Sequence, residues 1–185
     1  MEDIKKLRHL YRLKEVSRTA TIESRKESTA EHTYSSLILA EYFFPRIEPE
    51  LDQLKAIRLI LFHDIVEIEA GDTFFLDETG IQEQQKKEAE AFERLKQLIP
   101  RCISERYNSL WKEFEEGETR EAKFALAIDK LDPIIQGLST KEDWKHGITE
   151  QWLRDKKEHY MAPFPPIHRL FNELIEYAKR EGFLQ

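Results

Sequence analysis

Apolar side chains recur at spacings of three and four residues along almost the whole chain, and this helical period is what most restricts the fold. In the opening segment the pattern falls on Ile4, Leu7 and Leu10. Such a period places apolar residues on one face of a helix, whereas a strand would alternate them every second residue. No stretch stands out for strand-like alternation. The sequence therefore predicts an all-α fold.

Capping residues, glycines and prolines predict where the helices begin and end. Ser28 and Glu31 form a Ser-x-x-Glu capping box at the start of one helix. Gly71 ends another, and Pro133 is expected to kink a helix or mark its boundary. Residues 16–27 lose the helical period and are predicted to form an ordered loop. The predicted helices contain residues 4–11, 31–44, 54–68, 82–99, 103–114, 122–131, 141–160 and 167–178.

The composition limits the class of protein. Of the 185 residues, 40% are hydrophobic and 35% are charged, which is typical of a globular protein. This length suits a single domain over residues 1–185, with a motif-bearing core in about residues 7–140 and C-terminal helices in residues 141–185 packed on it. The net charge of −7 disfavours binding to a nucleic-acid polymer, because the phosphate backbone would be repelled.

No targeting or membrane segment is expected. The longest apolar runs, near residues 37–40 and 57–62, are far shorter than the roughly 20 residues that span a bilayer. The N-terminus carries no signal-peptide pattern. A lone cysteine, Cys102, cannot form an intrachain disulfide and is interpreted as a passive thiol. These features predict a cytoplasmic protein that does not associate with membranes.

Four polar residues stand on predicted apolar helices, and three of them interrupt apolar runs. His63 and Asp64 stand between Leu59-Ile60-Leu61-Phe62 and Ile65-Val66, and Asp129 lies in a similar run. His32 follows the capping box. Taken singly, His63 and Asp64 could form a buried polar pair, Asp129 a salt bridge, and His32 could be a partly exposed helix residue. Burying such groups is costly unless they are paired or bound to a metal.

One divalent cation would neutralise all four residues together, and two imidazoles with two carboxylates form a mixed nitrogen and oxygen ligand set. That set suits octahedral Mn²⁺, Fe²⁺ or Co²⁺, and Mg²⁺ less comfortably, with two positions left for water and substrate. Zn²⁺ is possible, although it favours a tetrahedral site. Such an ion can lower the pKa of a bound water and polarise a phosphoryl oxygen.

The order of these residues, His32, then His63-Asp64, then Asp129, resembles the H…HD…D pattern of HD-domain metal-dependent phosphohydrolases. The wider match is to the 5′-deoxynucleotidase subgroup. It rests on Glu27-Ser28-Thr29-Ala30-Glu31-His32, Leu61-Phe62-His63-Asp64-Ile65-Val66-Glu67, Gly71-Asp72 and Glu121-Ala122-Lys123-Phe124 with Asp129. The resemblance implies an all-α helix bundle with a central mononuclear metal site, usually a homodimer. It also implies hydrolysis of deoxyribonucleoside 5′-monophosphates to nucleoside and phosphate.

The resemblance assigns roles to three further residues. Glu67 matches the acidic residue of acid/base chemistry, Arg18 matches a phosphate-binding arginine, and Asp72 matches a catalytic or substrate-binding aspartate at the substrate end of the pocket. Each has a plainer alternative: a surface glutamate, a solvated loop arginine and a turn residue. Thr33 and Ser36 could support the ligands, but hydroxyls on a helix surface are commoner. Exposed-looking Phe74, Phe75 and Trp144 are compatible with a homodimer.

Residues that related families carry but this chain lacks reduce the number of candidate functions. Members of the subgroup usually carry a tryptophan at or shortly after the position that follows the phosphate-binding arginine, but Thr19 follows Arg18 here, which leaves the choice of sugar open. No histidine occurs between His63 and Asp129, so one metal is expected instead of two. Ile68 follows Glu67, which argues against the guanosine tetraphosphate hydrolases. The alternatives are a phosphohydrolase for another small phosphate ester and a catalytically silent helical metal-binding module.

Overall fold

Helices dominate the computed structural model, which describes residues 1–72, 78–145 and 147–184, with the backbone alone described for residues 78–86. Phe74, Phe75 and His146 therefore lie outside the described residues and side chains. The all-α prediction is confirmed. The α-helices are α1 Glu2–Leu10, α2 Thr29–Phe43, α3 Gln53–Phe62, α4 Glu67–Ala70, α5 Glu78–Leu98, α6 Arg101–Glu116, α7 Arg120–Gly137, α8 Glu150–Leu153, α9 His159–Met161 and α10 Pro165–Arg180.

The predicted loop at residues 16–27 is wrong, because this segment forms a small antiparallel hairpin. Strand β1 covers Ser17–Ile22 and strand β2 covers Arg25–Ser28, with Ile22 opposite Arg25. The strands are mostly polar, so no apolar alternation shows in the sequence. Distant residues hold β1 in place. Asp143 accepts hydrogen bonds from the backbone and hydroxyl of Thr21 at 2.8 Å each, and Gln136 donates to the Thr21 carbonyl at 2.9 Å.

The hairpin leads directly into α2 through the predicted capping box, which is confirmed. The Ser28 hydroxyl accepts a hydrogen bond from the backbone N–H of Glu31 at 3.3 Å, and the Glu31 carboxylate accepts from the backbone N–H of Ser28 at 2.9 Å. Two of the free donors at the helix start are satisfied in this way. The cap fixes where α2 begins, and so it fixes the position of His32 in the first turn.

The helix predicted to run without a break to Ile68 is interrupted at the chemically important residues. α3 ends at Phe62, His63–Val66 form a 3₁₀ turn, and α4 resumes at Glu67. The tighter turn changes the direction in which successive side chains point, and apolar spacing alone does not reveal it. Gly71, at φ 77°, ends α4 as predicted. Pro133 lies inside α7, so it does not end that helix.

The C-terminal region is less regular than the predicted helix over residues 141–160. A 3₁₀ turn at Lys141–Trp144, α8, a π-helical turn at Arg154–Glu158 and α9 follow one another. Trp144 is 6% exposed and its indole N–H donates to the Gly137 carbonyl at 2.7 Å, so its expected exposure is wrong.

Two apolar clusters stabilise the bundle. The larger joins α2, α3, α7 and α10, where side chains such as Leu59, Ile128 and Phe171 are fully buried. The smaller lies beneath α4, α5 and α6 around Phe92 and Tyr107. The polar residues discussed below come from the hairpin, α2, the 3₁₀ turn, α4 with the residues that follow it, and α7. None of the helices in the described part of the chain has the length and hydropathy of a membrane span.

Candidate metal centre

Three predicted ligands from distant parts of the chain meet in the interior. His32 lies in the first turn of α2, His63 in the 3₁₀ turn after α3, and Asp129 in the middle of α7. One nitrogen from each histidine and one oxygen from the aspartate lie within 4.8 Å of one another. The residues are 0%, 3% and 8% exposed, respectively. This separation is small enough for one ion to contact all three.

Asp64, the fourth predicted ligand, stands beside this group. Its Oδ2 lies 3.0 Å from Nε2 of His63 and 3.7 Å from Nε2 of His32. Burial acts to raise the pKa of Asp64, but the positive charges of His63, His32 and Arg18, together with the hydrogen bond from His63, outweigh burial and lower the pKa to about 2. Burial likewise opposes ionisation of Asp129, yet the Lys130 ammonium and both histidines hold its pKa well below the usual range. Both carboxylates are therefore negatively charged at neutral pH.

Both imidazoles are oriented through their Nδ1 atoms. Nδ1 of His63 donates to the Ile60 carbonyl at 2.7 Å, and Nδ1 of His32 donates to Oδ2 of Asp132 at 2.7 Å. With a proton held on Nδ1, Nε2 faces the cluster and can offer its lone pair to a metal that displaces the proton there, as in metal-binding histidines. Nε2 of His63 is buried and makes no well-directed hydrogen bond among the described residues, although Oδ2 of Asp64 lies 3.0 Å away. A metal ligand explains this atom better than a buried polar pair does.

Asp132 was missed by sequence reasoning. It lies three residues after Asp129, on the same side of α7, and is 4% exposed. Its partner His32 is 100 residues away in the chain. The sequence did contain a signal for this residue, because Asp132 is a second carboxylate in the mostly apolar stretch that includes Asp129. The pairing with His32 could be seen only in the structure.

Arg18, on β1, lies among carboxylates and is not a solvated arginine. Its Nη1 lies 3.3 Å from Asp64 and 3.7 Å from Asp72, and its Nε lies 3.4 Å from Glu27. The side chain is 15% exposed. Burial opposes the charged form, but Asp64, with the nearby carboxylates, outweighs burial and raises the pKa. Glu27 has a side chain that is 2% exposed and was given no role from the sequence, although it stands in the matched motif.

Glu67 begins α4 beside this cluster, directly after the 3₁₀ turn that starts at His63. It is 7% exposed, and its Oε2 accepts a hydrogen bond from the Thr29 hydroxyl at 2.7 Å. Burial, reinforced by the negative charge of Asp64, raises its pKa well above the ordinary value. Burial also raises the pKa of Asp72, against the opposing effect of Arg18. Of the α2 hydroxyls, that of Thr33 donates to the Thr29 carbonyl at 2.9 Å.

The later histidines lie away from this group. His159 is exposed, and Nε2 of His168 lies 2.7 Å from a Glu158 carboxylate oxygen. Neither belongs to the histidine and aspartate group found among the described residues. His146 lies outside the described residues.

Comparisons with known proteins agree with this arrangement. An HD domain family model matches residues 10–166. The 5′-deoxynucleotidase HDDC2 of Xenopus laevis is 35% identical over 133 residues, which cover 70% of this chain and 65% of that relative. The human protein of the same name is 32% identical over 143 residues, covering 76% and 68%, respectively. The chain thus spans about two thirds of the length of the curated relatives it matches.

A solved structure supports the same assignment over the full fold. It is described as a predicted metal-dependent phosphohydrolase from Magnetospirillum magnetotacticum MS-1, and it superposes with a TM-score of 0.88 at 31% identity. The superposition covers 99% of this chain and 94% of that one. Because the family model, the relatives and the solved structure agree with the buried histidine and aspartate cluster, the chain belongs to the HD domain family.

Proposed function

We propose that this protein is a metal-dependent phosphomonoesterase that hydrolyses deoxyribonucleoside or ribonucleoside 5′-monophosphates to nucleoside and phosphate. The observation that carries the proposal is the meeting of two buried imidazoles with ionised carboxylates, directly beside a partly buried arginine. A cation site next to a fixed guanidinium suits a substrate that carries two negative charges. The names of the relatives supply the substrate class.

We propose His32, His63, Asp64 and Asp129 as ligands of one divalent ion, which would be Mn²⁺, Co²⁺, Fe²⁺ or Mg²⁺, with Zn²⁺ possible. The free Nε2 of His63 and the charged state of both aspartates support this ligand set. When bound, such an ion supplies a polarising positive charge and an activated water. Asp132 orients His32 from behind, as carboxylates commonly do for metal-binding histidines.

The remaining site residues would act on the substrate and on protons. Arg18 lies 3.3 Å from Asp64, so a phosphate bound near the ion would also contact the guanidinium. Glu67 would take a proton from the attacking water, and its raised pKa makes its ionised form a stronger base. Asp72 lies 3.7 Å from Arg18 and would orient that side chain at the substrate end of the site.

Phosphate release from a panel of deoxyribonucleoside and ribonucleoside 5′-monophosphates tests this proposal. The protein would be stripped with a chelator and resupplied with Mn²⁺, Co²⁺, Mg²⁺ or Zn²⁺ in turn. We expect no release without metal and release with at least one ion, because the phosphoryl charge needs a cation. Stripped protein that keeps its full activity would contradict a metal-dependent mechanism.

A second candidate is a phosphohydrolase for another small phosphate ester. Thr19 stands after Arg18 where the subgroup usually has a tryptophan, and this substitution favours the alternative. Non-nucleotide phosphate esters in the same panel separate the two functions. Metal-dependent release from these esters alone would support the second candidate and reject the nucleotide assignment.

We further propose that residues 1–185 form a single HD domain that acts in the cytoplasm. Buried Phe171 of α10 belongs to the same apolar cluster as Leu59 of α3 and Ile128 of α7, which supports one continuous core. Cys102 is an exposed free thiol, as is common in a reducing compartment. The net charge of −7 favours a small metal-neutralised substrate over a nucleic-acid polymer.

We also propose a homodimer, as the resemblance to the deoxynucleotidases implies. Helix α2 offers a candidate face, because Tyr34, Ile38 and Tyr42 repeat every four residues and are 67%, 55% and 50% exposed. Adjacent exposed apolar side chains often mark an interaction surface.

Replacing Tyr34 with aspartate should therefore convert the dimer to a monomer, because a charge would be buried in the interface. Light scattering after size exclusion measures the change against the subunit mass of 22.1 kDa. The matched control is Tyr177→Asp on α10, where the tyrosine is 41% exposed and the dimer should persist. A monomeric wild-type protein would refute the assembly, and a dimeric Tyr34→Asp variant would refute the face.

A further inference from the structure

The two carboxylate oxygens of Asp129 lie in different environments. Oδ1 faces the histidines, at 3.2 Å from Nε2 of His32 and 3.7 Å from Nε2 of His63. Oδ2 lies 2.7 Å from the ammonium nitrogen of Lys130, the next residue in the chain. One oxygen is therefore directed towards the proposed ion, and the other is occupied by a cation that the protein itself provides.

The Lys130 contact is a partly buried one. The Asp129 side chain is 11% exposed and the Lys130 side chain is 32% exposed, so water screens the pair less than it would at the surface. A hydrogen bond between two charged groups is also stronger than one between neutral groups. The ammonium can therefore fix the orientation of the carboxylate and offset its negative charge.

We propose that Lys130 is a positioning residue that limits Asp129 to a single metal-facing oxygen and keeps the bound ion strongly electrophilic. This inference rests on the proposed function, because it concerns the same ion. Without the lysine, Oδ2 becomes available as a second donor, and one more uncompensated negative charge faces the site. The cation should then be held more tightly, but less positive potential would remain for a phosphoryl oxygen or a bound water.

Lys130→Met separates this role from a merely structural one, because its two effects have opposite signs. We expect the variant to bind Mn²⁺ about threefold to tenfold more tightly, as judged by the electron paramagnetic resonance signal of free Mn²⁺. At saturating Mn²⁺, kcat should fall by roughly 10-fold to 100-fold, the range seen when residues that support a ligand are lost. KM for the phosphate ester should change little.

Two further variants make the test specific. Lys130→Arg keeps the positive charge and should restore both Mn²⁺ affinity and kcat towards wild-type values. Lys123→Met removes an exposed lysine from the same helix and should change neither. If Lys130→Met weakens Mn²⁺ binding, or leaves both affinity and kcat unchanged, the inference is overturned. Should wild-type protein bind Mn²⁺ but hydrolyse no phosphate ester, the proposed function fails, while the affinities still decide whether Lys130 restrains Asp129.

Discussion

Replacing His63 with alanine should abolish both metal retention and turnover. The imidazole supplies a buried Nε2 that no described hydrogen bond satisfies, and its Nδ1 is fixed by the Ile60 carbonyl at 2.7 Å. Loss of a residue that only supports a ligand weakens metal binding by about 10-fold to 100-fold. Loss of the ligand itself should exceed about 100-fold, with phosphate release at background. Metal content after gel filtration and single-turnover assays measure the two effects.

Two controls separate this effect from misfolding. His168→Ala removes a histidine that pairs with Glu158 at 2.7 Å in the C-terminal region, and it should keep both metal and activity. Asp64→Asn preserves side-chain shape while removing a charge 3.0 Å from Nε2 of His63, and it should lose both. Full activity in His63→Ala would remove His63 from the proposed ligand set, and full activity in Asp64→Asn would remove Asp64.

Glu67→Gln should nearly eliminate turnover while leaving the fold and the metal in place. The carboxylate is buried and accepts a hydrogen bond from the Thr29 hydroxyl at 2.7 Å, a geometry that glutamine can keep. Glutamine cannot accept the proton of an attacking water, and loss of a general base costs roughly 10²-fold to 10⁴-fold in rate. Steady-state kcat, Mn²⁺ affinity and thermal unfolding should be measured together.

The direction in which Glu67→Gln changes the stability of the fold can also be predicted. Burial raises the pKa of Glu67, so ionising it at neutral pH weakens the folded state, and a neutral glutamine should not lower the melting temperature. Glu69→Gln is the matched control, because Glu69 lies on the same short helix and pairs with His9 at 3.0 Å. That variant should keep its activity. Wild-type kcat in Glu67→Gln would exclude the carboxylate as the base.

Parts of the fold could be predicted from the sequence because they depend on interactions between residues that are close together in the chain. The capping box at Ser28 and Glu31 acts within one helical turn, and the spacing of apolar residues reports burial of one helix face. The hairpin was missed because its strands are polar and because it is held by Asp143 and Gln136, 122 and 115 residues away from Thr21. The break at His63 was missed because a 3₁₀ turn leaves almost the same apolar spacing as an α-helix.

For the site, the sequence by itself determined which residues were costly to bury, namely His63, Asp64 and Asp129 within apolar runs. The family resemblance added His32, because the four residues follow the order of the family's pattern. Only the tertiary structure decided which atoms face one another. It placed Asp132 behind His32, Arg18 beside Asp64, and Lys130 on the outer oxygen of Asp129. The physical reason is that the apolar sequence around a polar group already shows that burying it would be costly. The partner that offsets this cost can be far away in the chain, as Asp132 is 100 residues from His32, so only the folded structure identifies it.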